Sequence, residues 1–355
     1  MTKLIACAFF LGISALAQQT HETMTRVWAA QWIDMPGASS QDYGVYHFRR
    51  TFDLASKPQQ FVIYVSGDNR YQLYVNGKRV SWGPARGDLT HWRYETVDIA
   101  PELQAGKNVL AAVVWNDGPY RAIAQITNQT GFVLNTQRAE DAAVNTNRSW
   151  KCVQDRAYSP QPLSPDQDAG YFALAAHEKF DALQYPWGWE QLDFDDSAWQ
   201  PAHELTHAAP RDARDAPNRW MLVPRMIPLE EQTPQRILKM RKADGVAASD
   251  EFLKGHSPLR VPPHARASLL LDQTYLTTAY PELTVSGGKG SSISLRYAES
   301  PFIGRRPIRK GNRNDIEGTQ FYGPSDTYLA DGGSHRLYRP LYWRTYRYIQ
   351  VNIET

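Results

Sequence analysis

Apolar positions in this chain recur mostly at every second residue. In 61–66 (FVIYVS) and 71–75 (YQLYV), Phe61, Ile63, Val65, Tyr71, Leu73 and Val75 keep the period of a strand with a buried face. Similar short runs occupy 45–53, 92–98, 121–127 and 131–136. Residues 109–115 (VLAAVVW) are apolar throughout and predict a strand buried on both faces. Gly106-Lys107-Asn108 predicts a tight turn into that strand. Asn76-Gly77 predicts a two-residue hairpin turn, since both residues tolerate positive φ. The runs 61–66 and 71–75 are expected to pair antiparallel, with Asp68, Asn69 and Arg70 in their connection. Later strands are predicted at 259–262, 267–272, 283–286, 291–297 and 345–353, with a hairpin turn over 286–290. Long amphipathic helix patterns are nearly absent, so the expectation is an all-β chain of two consecutive β-sandwich domains.

Breaker-rich stretches divide the chain. Residues 155–170 and 303–325 read as surface loops, and 206–219 (THAAPRDARDAPNR) as the domain boundary. The expected domains are therefore 22–210 and 218–355.

Residues 1–17 read as a secretory signal peptide. Lys3 supplies the positive start, Leu4 to Leu16 is mostly apolar but short for a bilayer span, and Ala15-Leu16-Ala17 suits cleavage. The expectation is an exported protein, periplasmic or extracellular, with no membrane span. Of the two cysteines, Cys7 lies in that leader, which leaves Cys152 unpaired in an apolar–polar strand pattern and expected to be buried and inert. The formal net charge of +2 gives no footprint for nucleic acid. The chain is hydrophilic, with a mean hydropathy of −0.53, yet holds 11 Trp and 19 Tyr. Aromatics fill sandwich cores and also stack on sugar rings.

The run 61–77 resembles the jelly-roll module near the N-terminus of bacterial α-L-rhamnosidases, glycoside hydrolase family 78. Trp82 to Asp88 is similar to that family's GPxR-type loop, and His91 to Asp98 to the strand after it. Leu271 to Thr277, Tyr297-Ala298-Glu299, Lys310 to Arg313 and Pro340 to Tyr348 resemble its linker sandwich. Phe194-Asp195-Asp196-Ser197-Ala198-Trp199 resembles the FDDSxW string of galactose-binding-like jelly rolls. The resemblance implies an (α/α)6 catalytic barrel beyond Arg347 to Ile353, where this chain stops. It therefore implies a truncated portion, inactive alone, that recognises rhamnose-containing polysaccharide or glycoside. A separate catalytic chain is then an expected partner. It would meet an apolar patch of Tyr342, Trp343, Tyr346 and Tyr348.

Asp68, Asn69 and Arg70 are the leading carbohydrate-binding candidates. An acid and an amide offer paired acceptors and donors to adjacent hydroxyls, and a guanidinium offers forked donors. The alternative is a turn in which Asp68 and Asn69 satisfy their own backbone. Trp82, Arg86, Trp92 and Tyr94 are candidate wall residues. Rhamnosidase modules of this kind bind sugar with the help of calcium, so the resemblance also implies Asp68 and Asn69 as calcium ligands.

Two enzymatic readings stand beside this one. An active glycosidase could use Glu178, Asp181, Asp195 and Asp196, provided two carboxyls flank the bond. Alternatively, Asp195 and Asp196 cap backbone amides in a turn with Trp199 beneath. The string His203-Glu204-Leu205-Thr206-His207 spells HExxH, which on a helix would hold zinc with Glu204 as base and Glu230 or Glu231 as third ligand. Pro201 and Pro210 bracket it and argue against such a helix.

Overall fold

The computed structural model describes residues 25–163, 173–214, 216, 219–304 and 309–355. The expected leader, with Cys7, lies outside them. Among the described residues no helix is long and apolar enough to cross a membrane.

The described chain is almost entirely strand and turn. It begins with β1 (Gln31–Asp34), β2 (Gly44–Leu54), β3 (Val62–Asp68), β4 (Arg70–Val75), β5 (Lys78–Gly83), β6 (Trp92–Asp98), β7 (Gly106–Asn116), β8 (Gly131–Thr136) and β9 (Lys151–Gln154). Short strands follow: β10 (Tyr158–Gln161), β11 (His177–Asp181), β12 (Gln200–Pro201), β13 (His203–His207) and β14 (Leu222–Pro224). The last stretch holds β15 (Lys239–Asp244), β16 (Arg266–Ala279), β17 (Leu283–Val285), β18 (Ser292–Ala298), β19 (Phe302–Ile303), β20 (Arg309–Lys310), β21 (Ser325–Leu329), β22 (Arg336–Tyr338) and β23 (Arg344–Glu354). Besides three short 3-10 helices, Ala100–Glu102, Gly118–Tyr120 and Ala139–Val144, the described residues include a short α-helix, α1 (Asp250–Lys254), which ends at Gly255 in the left-handed conformation.

The chain forms two compact units, and neither is continuous in sequence. The first comprises the residues through Pro119 together with Ala124–Asp155 and Pro186–Leu229. The second takes Tyr120–Ile123, Arg156–Tyr185 and Glu230–Thr355. This differs from the expected division into 22–210 and 218–355. The reason is pairing: β11 lies parallel to β21, and β10 lies on β11, which draws 156–185 into the second unit. Residues 155–170 were expected to be loop, yet β10 forms there despite Pro160. It occupies a sheet edge, where a missing N–H is tolerated.

The first unit is a sandwich of two six-stranded sheets, ordered β13-β1-β8-β3-β6-β14 and β12-β9-β2-β7-β4-β5. Ile63, Val65, Phe132 and Leu134 from one sheet meet Phe48, Leu73, Leu110, Ala112 and Val114 from the other in a single core. The alternate residues of the first sheet, Tyr64 and Val133, are also buried. They join Trp28, Trp32, Trp92, Tyr94 and Trp220 in a second apolar layer on the outer face. Much of the aromatic content is thus structural. β7 is buried from Asn108 to Asn116, as its apolar run predicts, and Gly106 at φ 81 begins it. Asn76 and Gly77, at φ 49 and 83, close the β4–β5 hairpin.

The expected pairing of 61–66 with 71–75 does not occur. β3 lies between β8 and β6 in one sheet, and β4 between β7 and β5 in the other. The chain changes sheets at Asn69, whose N–H donates to Trp115 O at 3.0 Å. Residues 121–127 also form no strand: Ala124 takes φ 61, and Ile123 and Ile126 lie exposed. Neither does 259–262. The 286–290 segment is a turn with three left-handed glycines, but not a hairpin turn, because β17 pairs with β22 while β18 pairs with β21 and β23.

The second unit centres on a seven-stranded sheet, β10-β11-β21-β18-β23-β16-β15, with two-stranded ribbons β17–β22 and β19–β20. Lys239, Arg241 and Lys242 line the edge strand β15, which discourages edge-to-edge pairing.

Candidate functional site

Asp68 ends β3 at the corner between the sheets, and both Asp68 and Asn69 are 0 % exposed. Five donors fill the Asp68 carboxylate. Oδ1 accepts from Thr127 Oγ1 at 2.7 Å and Asn69 Nδ2 at 3.0 Å. Oδ2 accepts from Asn128 N at 2.8 Å, Gln129 N at 3.3 Å and the Trp220 indole N–H at 2.8 Å. Asn69 Oδ1 in turn accepts from Asp117 N at 2.8 Å. Burial pushes the Asp68 carboxyl up to about 6, against the hydrogen bonds from Thr127, Trp220 and the backbone. A carboxylate offers about four lone-pair sites, so these donors leave none for a sugar hydroxyl or a cation. The Asp68–Asn69 pair does not fit a calcium ligand set, and it presents nothing to an external sugar. It fastens the corner to the 127–129 loop and to Trp220. Thr127 and Trp220 lie 59 and 152 residues further along the chain, separations that local patterning cannot reveal.

The other candidates scatter. Arg70 is buried at the start of β4. Trp92 and Tyr94 belong to the outer aromatic layer, where Tyr94 packs edge-on against Trp28 and Tyr64. Trp82 is half-buried beneath the Arg79 guanidinium, 5.1 Å from its ring centroid. Of the seven, only Arg86 is exposed. Glu95, on β6 beside Tyr94, is a buried node that the sequence did not signal. It accepts from Tyr71 Oη, Ala85 N and Arg225 Nη1.

The acids of the glycosidase reading have structural partners. Glu178 is buried in the second unit and accepts from Tyr338 Oη at 3.0 Å and Leu341 N at 3.1 Å. Asp181 caps Leu183 N. Asp195 caps Ser197 N, as the turn reading expects, whereas Asp196 pairs with Arg49 and Lys151 at 2.9 and 2.7 Å. Arg49 is itself buried and also donates to the carbonyls of Trp189, Gln191 and Phe194, with Trp199 packed 6.0 Å away. Cys152 is buried in the first core, as expected, and burial pushes its thiol up to about 12, which disfavours the reactive thiolate.

HExxH is a strand here, not a helix. β13 pairs with β1, placing His203 opposite Asp34 and His207 opposite Gln31. At about 3.3 Å per residue the two histidines stand more than 10 Å apart along the strand, too far to share an ion. His203 Nδ1 contacts Asp34 Oδ1 at 2.9 Å, and Glu204 accepts from Arg148 N. Among the described residues no cluster of His, Cys, Asp and Glu could hold a metal. The zinc reading is overturned. Metal analysis of purified protein is expected to find no stoichiometric zinc, and His203→Ala is expected to leave that content unchanged.

The apolar patch expected on 340–355 is absent as well. Tyr342, Tyr346 and Tyr348 are buried, and half-buried Trp343 stacks on Tyr342 at 3.8 Å.

A cavity of about 210 Å³ lies in the first unit where β14 runs parallel to β6. Its polar lining is His91, Arg93, Arg211 and Asp212, and its apolar lining includes Leu222, Val223 and Met226. The 210–212 turn is fastened to β14 by Arg211 N–H to Leu222 O at 2.9 Å, and by Leu222 N–H to Ala209 O at 3.0 Å. Arg93 Nη1 donates to Pro224 O at 3.2 Å.

Comparison with known proteins places this architecture. Residues 56–221 match the family model of the alpha-L-rhamnosidase N-terminal domain. An alpha-L-rhamnosidase of Streptomyces avermitilis is 25 % identical over 327 residues, 89 % of this chain and 27 % of that protein. The crystal structure of a GH78 family rhamnosidase of Bacillus sp. GL1 superposes with a TM-score of 0.73 at 14 % identity, over 93 % of this chain and 54 % of the other. The Streptomyces avermitilis alpha-L-rhamnosidase complexed with L-rhamnose gives 0.54 at 21 % identity, over 87 % and 27 %. The chain thus spans about a quarter of the Streptomyces protein and about half of the Bacillus one, and the structural likenesses carry the fold.

Proposed function

From a chain that carries an α-L-rhamnosidase N-terminal domain of glycoside hydrolase family 78 type, we propose an exported, non-catalytic role in recognising rhamnose-containing carbohydrate. The carrying observation is the match over 56–221, which spans most strands of the first unit. The non-catalytic part draws support from how the buried acids are used. Asp68, Glu95, Glu178 and Asp326 each accept hydrogen bonds from the protein's own donors. Hydrolysis needs two carboxyls free to flank a glycosidic bond, one as acid and one as base or nucleophile. Calcium, if it takes part, must find ligands other than Asp68.

Calorimetry with L-rhamnose, in calcium and again with chelator, tests recognition. An aryl α-L-rhamnoside assay on the same sample tests catalysis. Heat without turnover is the expected result, insensitive to chelator. Turnover at enzymatic rates would sink the non-catalytic reading, and absence of heat with any rhamnose-bearing ligand would sink recognition.

A further inference from the structure

We propose that the cavity between β6 and the 210–212 turn is a carbohydrate subsite that takes an acidic sugar, a hexuronate, through its carboxylate. This rests on the carbohydrate-recognising reading above and names the ligand class within it. The lining holds two guanidiniums, one imidazole and one carboxylate, and a second carboxylate, Asp88, touches the imidazole from outside it. Arg211 holds Asp212 through Nε at 3.1 Å and Nη2 at 3.4 Å. His91 Nδ1 contacts Asp88 Oδ1 at 3.2 Å and Thr90 Oγ1 at 3.0 Å. A guanidinium has five N–H donors. The bonds named use one on Arg93 and two on Arg211, so the site keeps donors in excess of acceptors. A ligand carboxylate supplies what is short, and planar guanidinium donors match its geometry.

The remaining lining suits a sugar ring rather than a bare anion. Leu222, Val223 and Met226 offer an apolar surface to ring C–H groups, and Met226 is 83 % exposed. Asp212 supplies acceptors for ring hydroxyls. The backbone bonds that fix 210–212 to β14 make the site pre-formed, which limits the ordering cost of binding.

The test is calorimetry on the full chain with D-galacturonate, its methyl ester, L-rhamnose and acetate, repeated with Arg211→Gln. Lys107→Gln, an exposed change outside the lining, controls for net charge. Thermal melts check that each variant is folded. The acid is expected to bind roughly tenfold or more tightly than the ester, the worth of one charge-assisted hydrogen bond. Arg211→Gln is expected to erase that difference, Lys107→Gln to leave it, and acetate to bind far more weakly. Equal affinity for acid and ester, unchanged uronate binding in Arg211→Gln, or acetate binding as tightly as the uronate would each overturn the subsite. L-rhamnose binding with no uronate binding overturns the subsite while the recognition role stands. No heat with any sugar overturns both.

Discussion

Asp68→Ala is expected to lower the stability of the first unit by about 3–5 kcal/mol, the summed scale of several buried donors left without an acceptor. The loss strands the Trp220 indole N–H and the backbone N–H groups of Asn128 and Gln129, all of which donate to that carboxylate. Each buried donor left unsatisfied costs about 1–3 kcal/mol. Urea unfolding followed by tryptophan fluorescence reads it directly. Trp220 stacks on Trp32 at 4.3 Å and 16°, so loosening the corner perturbs the signal locally as well. Asp68→Asn keeps one acceptor oxygen and is expected to fall between parent and alanine variant. A stable alanine variant that had lost sugar binding would return Asp68 to the role its sequence suggested.

The second large effect lies in the other unit. Arg344 is 1 % exposed and grips Asp326 with two bonds, Nη2 to Oδ1 at 2.7 Å and Nε to Oδ2 at 2.9 Å. Tyr297 Oη also donates to Asp326, and Glu178 N–H donates to Oδ1. Arg344→Met leaves Asp326 buried and unpaired and is expected to cost about 3–5 kcal/mol. Glu178, 3.9 Å from the same guanidinium, adds a pH dependence. Burial pushes its carboxyl up to about 8 even though Arg344 pulls the other way. Between about 4.5, its ordinary value, and about 8, the folded chain holds a proton that the unfolded chain has released. Stability from this group therefore falls as pH rises through that window and is flat outside it. Burial pushes His177 down to about 3, which gives the opposite slope between about 3 and 6.5. The reading is therefore the difference between parent and Glu178→Gln. The variant should gain on the parent by a few kcal/mol, at about 1.4 kcal/mol per pH unit, from pH 5 to 8. A constant difference across that range would refute the buried proton.

Strands whose pattern is local were legible in the sequence. β4, β6, β7, β8, β18 and β23 fall within a few residues of their predicted runs, because an alternating or, for β7, a continuous apolar pattern is written into neighbouring residues. Partners were not legible. A strand reads the same whether its neighbour lies two residues away or in another sheet, so nothing within 61–75 separates a β3–β4 pair from strands in opposite sheets. Asp68-Asn69-Arg70 misled for a related reason. A polar cluster between strands marks either an exposed loop or a buried corner, and what separates them is Thr127 and Trp220, far along the chain. HExxH failed because the motif carries its chemistry only on a helix, and the Asp34 strand beside it holds it extended.

The interleaving of the two units has a consequence for the order of synthesis. The first unit has its last strand, β14, once residues 222–224 are made, yet by then the chain already contains β10 and β11. Their sheet neighbour β21 is 325–329, and β23, the strand that β16 and β18 both pair with, is the last to be translated. For about a hundred residues of elongation a finished sandwich carries a two-stranded ribbon whose open edge awaits a strand not yet made. Such an edge is a template for pairing with other chains. Between residues 229 and 325 the strands already made in the second unit lack the partners that cover them in the finished sheet.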